Sequence, residues 1–87
     1  MFVSIEDARL AYVKQRETFF RWLCSLDSSS GSAMSLEYIK SLIRRAQVHS
    51  YQDCRDRESR LWGMQMALGL NEAEINEIDQ GIIGLLK

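Results

Sequence analysis

The chain has 87 residues, 46% of them hydrophobic and 26% charged, and a formal net charge of −1 from 11 basic and 12 acidic side chains. That length is one domain, spanning 1–87. The balance excludes a strongly basic nucleic-acid protein, a polyacidic tail and wholesale disorder.

A domain of this size hides only about 60–65% of its unfolded surface. A protein partner or a second copy would therefore add to a modest core. The two cysteines, Cys24 and Cys54, are too few for a disulfide scaffold and fit reduced thiols in a cytoplasmic protein. No apolar run approaches the roughly 20 residues of a membrane span. The start, Met1 to Asp7, turns acidic early and lacks the order of a signal peptide. Proline is absent, and no segment alternates apolar with polar residues as a strand does. The fold class is all-α, a bundle of three to four helices over about 4–26, 34–49, 51–68 and 72–86.

The first helix opens at Ser4, whose hydroxyl is placed to cap the amide of Asp7. Ile5, Tyr12, Phe19 and Leu26 recur every seven residues as its buried stripe. Phe19, Phe20, Trp22 and Leu23 crowd its second half, and helical neighbours about 100° apart do not all point one way. One of these aromatics is expected outside the core. The segment 27–33, with Ser28-Ser29-Ser30-Gly31-Ser32, reads as a flexible loop.

Leu36, Ile39, Ile43 and Ala46 carry the next helix. After Val48 the stripe moves to Tyr51, Cys54 and Leu61. Residues 34–68 read either as two helices with a break at His49-Ser50 or as one long kinked helix, since no Gly or Pro enforces the break. The weak cap Ser50-Tyr51-Gln52-Asp53 favours the break. From Leu61 to Leu68 nearly every face is apolar, which predicts a helix surrounded by protein. Gly69-Leu70 then forms a helix stop, and Asn71 with Glu74 forms a capping box. The last helix shows Ile75, Ile78, Ile82 and Leu85 on one stripe. Its acids Glu72, Glu74, Glu77 and Asp79 oppose or flank that stripe. Gly81 and Gly84 weaken it, for close packing or by fraying.

Catalytic chemistry finds no constellation. His49, the one histidine, lies five residues from Cys54 and does not face it on a helix. Two Cys and one His fall short of a zinc site. No phosphate-binding glycine loop occurs. The expectation is a non-enzyme with no cofactor and no metal.

Arg44, Arg45, Arg55, Arg57 and Arg60 form the alternative, a nucleic-acid-binding face. Asp53, Asp56 and Glu58 are interleaved with them, so a solvated face is the simpler expectation, with Asp53–Arg57 and Asp56–Arg60 ion pairs. The helix after the Gly69 turn carries Glu72, Glu74, Glu77 and Asp79, which phosphates would repel. Nucleic acid is the disfavoured partner.

Surplus aromatic and apolar residues remain. Phe20, Trp22, Trp62, Met66, Ile83 and Leu86, ringed by Arg21 and Arg60, are the candidate protein-binding residues. Phe20, Ile83 and Leu86 lie off their helices' main stripes. The function expected is protein–protein binding without catalysis: a small regulator, an inhibitor or a chaperone-like adaptor, engaging a partner or forming a homodimer.

Overall fold

The structure, a computed structural model, describes residues 4–26 and 34–87. The serine-rich segment 27–33 lies outside the described residues. Four helices follow in order: α1 (Ile5–Leu26), α2 (Leu36–His49), α3 (Tyr51–Leu68) and α4 (Glu72–Leu86). Strands are absent among the described residues, and the all-α class stands.

Local chemistry sets the helix ends. Ser4 Oγ accepts from the Asp7 amide at 3.1 Å, as the sequence predicts. Ser35 Oγ caps α2 through the Tyr38 amide. Ser50 leaves the helical region at φ −137°, ψ 50°, so α2 and α3 are two helices rather than one. Its side chain makes no cap bond. Its backbone makes the joint instead: its N–H donates to the Ala46 carbonyl at 2.8 Å and its carbonyl accepts from Cys54 at 2.9 Å. At the other end of α3, Gly69 adopts φ +65°, and the Leu70 amide folds back on the Gln65 carbonyl. Asn71 and Glu74 then cap each other at 2.8 and 3.2 Å. Each of these ends satisfies backbone groups that helix termini otherwise leave unpaired.

Cross-helix contacts give the directions. Arg57 lies on Trp22 and Gln65 donates to Tyr12, so α1 and α3 run antiparallel. Arg9 pairs with Glu74 and Arg16 with Asp79, so α1 and α4 run the same way. α1 packs against the other three helices. α2 also packs on α3 and α4, while α3 and α4 diverge from their turn without packing together.

The core takes Tyr12, Phe19, Phe20 and Leu23 from α1, and Ile39, Leu42 and Ala46 from α2. Cys54 and Leu61 of α3 and Ile82 and Ile83 of α4 complete it. Several stripes are corrected. Ile5 and Leu26, at the two ends of α1, are exposed. In α4, Leu85 is exposed while Ile83 is buried. That helix turns Asp79, Ile82, Ile83 and Leu86 inward, at spacings i, i+3, i+4 and i+7, because half-buried Arg16 holds Asp79 there. Asp79 is thus a core acid and not part of a solvated face. Gly81 and Gly84 are exposed, with nothing within 4 Å of an added Cβ, so neither serves close packing.

Candidate interaction surface

The largest departure from expectation is α3. Only Cys54 and Leu61 are buried on it. Trp62 and Met66, predicted to be enclosed by protein, are each 63% exposed. The run Leu61–Leu68 is apolar all round, yet α3 rests on one side only, against α1 and α2. Trp62 and Met66 stand one turn apart. Helical geometry places Tyr51 and Arg55 within about 60° of them on the same flank. Tyr51 and Arg55 are also exposed, and Arg55 Nη1 donates to the Tyr51 hydroxyl at 2.9 Å. The result is an aromatic and apolar stripe with one cation, the composition that interfaces favour.

Other candidates fall elsewhere. Phe20 is fully buried and Ile83 is 3% exposed, so both belong to the core that they were expected to flank. The Arg16 guanidinium, 5.0 Å above the Phe20 ring, accounts for that crowded position. Leu86 is half-buried against the core. Trp22 is half-buried, stacks on Phe19 at 6.1 Å between centroids, and is covered by the Arg57 guanidinium at 4.2 Å. Arg21 is exposed and pairs with Glu17 within its own helix. Arg60 does not rim Trp62, since two residues along a helix turn a side chain about 200° away.

The five arginines do not share a face. Arg45 lines a cleft between α1 and α2 with Leu26 and His49. Arg55 lies beside Tyr51 and Gln47. Arg57 and Arg60 line a third cleft, between α1 and α3. Arg44 is exposed on α2. The expected ion pairs are also absent. Asp56 accepts from Gln52 at 2.9 Å, and Arg57 donates to the Asp53 backbone carbonyl instead of its carboxylate.

Titratable groups divide by depth. Cys54 is buried and donates to Glu58 at 3.0 Å. Burial pushes its thiol up to about 12, helped by the Glu58 carboxylate. A thiol so placed stays protonated at neutral pH, whereas nucleophilic chemistry needs the thiolate. Burial likewise raises the Tyr12 hydroxyl, which accepts from Gln65 at 2.7 Å. Among the described residues no cluster of three His, Cys, Asp or Glu side chains is placed to hold a metal ion. No described helix is long and apolar enough to cross a membrane.

Sequence reasoning missed two features, one on this surface and one in the core. Tyr51, expected on a core stripe, is exposed, and its spacing of four to Arg55 and eleven to Trp62 puts all three on one flank. The Arg16–Asp79 pair had no local signal, because its members are 63 residues apart. Comparison with protein-family models, curated proteins and solved structures finds no match for the chain.

Proposed function

We propose that the chain is a non-catalytic protein–protein interaction module whose contact face is the α3 stripe of Tyr51, Arg55, Trp62 and Met66. The observation that carries this reading is the exposure of Trp62 and Met66, one turn apart, on a domain whose core is already filled by four helices. An exposed tryptophan beside a methionine gains more from a partner's surface than from water. The reading covers a regulator, an inhibitor or an adaptor, acting on a protein partner or on a second copy. We place it in the cytoplasm, where Cys24 and Cys54, not disulfide-bonded to each other, meet a reducing environment.

The test is light scattering behind gel filtration over a concentration series, with photo-crosslinking from position 62 in cells. A dimer lost in Trp62→Ala, or one reproducible crosslinked protein lost in Met66→Asp, supports the reading. A monomer that yields no crosslinked protein overturns it.

A further inference from the structure

The cleft between α1 and α3 holds two arginines that the fold leaves underused. Arg57 and Arg60 stand one turn apart on α3, a spacing at which like charges repel. Neither neighbouring acid relieves them: the Asp56 carboxylate takes its hydrogen bond from Gln52, and Asp53 offers Arg57 only its backbone carbonyl. Arg60 has no hydrogen bond or ion pair among the described residues. Arg57 is held in place by the face of Trp22, itself stacked on Phe19. A guanidinium fixed on a ring loses less freedom when it binds.

The cleft encloses about 260 Å³. Phe19 and Leu61, both buried, form its floor, and Gln15 and Thr18 its α1 wall. The Thr18 hydroxyl proton is committed to the Lys14 carbonyl. The Gln15 amide has no partner among the described residues and offers a donor. Two arginines and Asp56 give the lining one net positive charge. That matches a carboxylate better than a phosphate group, which carries about −1.5 to −2.

We propose that this cleft is the docking site for a carboxylate side chain of an acidic peptide segment, held between Arg57 and Arg60. A forked guanidinium is the group that receives a carboxylate most strongly. The site lies about 140° to 200° around α3 from Trp62. It is therefore independent of the apolar stripe, and the two stand or fall separately.

The experiment titrates the full, isotope-labelled chain with a capped oligoglutamate peptide and follows both indole N–H signals and the arginine side-chain signals by NMR. The expected result is a saturable shift at Trp22, Arg57 and Arg60 with Trp62 unmoved. Arg60→Glu should weaken binding about tenfold or more, Asp56→Asn should strengthen it, and added salt should weaken it. Gln15→Glu places a carboxylate on the opposite wall and should also weaken binding, which keeps the test open if Arg60→Glu misfolds. The proposal is overturned by the lack of a saturable shift, by equal shifts with inorganic phosphate, or by unchanged affinity in folded Arg60→Glu and Gln15→Glu chains.

Discussion

Arg16 and Asp79 meet inside the bundle through two parallel hydrogen bonds, Nε to Oδ1 at 2.9 Å and Nη2 to Oδ2 at 3.0 Å. Their side chains are only 15% and 7% exposed. Burial alone would lower the Arg16 pKa, but the hydrogen bond and charge of Asp79 outweigh it and hold the guanidinium protonated. Removing one partner leaves a buried charge, whereas removing both leaves room for apolar packing.

Asp79→Ala should therefore cost about 3–5 kcal/mol of stability. The double variant Arg16→Met, Asp79→Leu should recover much of that. Urea unfolding followed by circular dichroism measures both. A double variant no more stable than the single would show that α4 needs the ion pair for its orientation.

That pair also marks where the sequence was legible and where it was not. Helix punctuation could be read directly, because Ser4 with Asp7 and Gly69 to Glu74 act within one turn of chain. The choice of buried face depends on distant partners. Ile82 and Ile83 were both available to the core. Asp79, fixed by a residue on α1, selects the rotation that buries both and leaves Leu85 outside. In α3 the apolar run implied enclosure, but only the neighbours of a helix decide how many of its faces are covered. Trp62 is exposed on a helix that packs on α1 and α2 and makes no packing contact with α4. The exposed α3 stripe thus followed from topology more than from composition.

Cys54 gives a pH dependence with a definite sign. Its thiol titrates near 9.0 when unfolded and at about 12 when folded. The neutral form is favoured by the fold, so its contribution is fully present below pH 9 and is lost as pH rises through 12. Tyr12, also raised by burial, acts in the same direction above its ordinary value of 10.0. Unfolding free energy should fall above pH 9, and Cys54→Ala should flatten that fall. Glu58 keeps its hydrogen bond from Gln47 in this variant. An alkaline slope identical in both proteins would contradict the assignment.

Two glycines should respond to alanine in opposite directions. Gly69 sits at φ +65°, where a Cβ meets the neighbouring carbonyl, so Gly69→Ala should cost about 1–2 kcal/mol. Gly81 is helical and exposed with open space around it. Gly81→Ala should add up to about 1 kcal/mol through helix propensity. Paired melting curves separate the two cases. Loss of stability in Gly81→Ala would mean that something packs closely on that face in solution.

Phe20 and Trp62 separate core from surface. Phe20 is fully buried beneath the Arg16 guanidinium, and Phe20→Ala should cost about 3–5 kcal/mol. Ile83→Asp should be at least as damaging, because it buries an unpaired carboxylate. Trp62→Ala removes a larger side chain but opens no cavity, so its stability should stay within about 0.5 kcal/mol of the parent. Any loss of association in Phe20→Ala should therefore track loss of helicity, while a loss in Trp62→Ala should come with helicity intact. Thermal melts with far-UV circular dichroism, run beside the light-scattering series, read both quantities on the same samples. If Trp62→Ala melted as early as Phe20→Ala, Trp62 would be bearing on the fold, and the stripe on α3 would lose its claim as a surface kept for a partner.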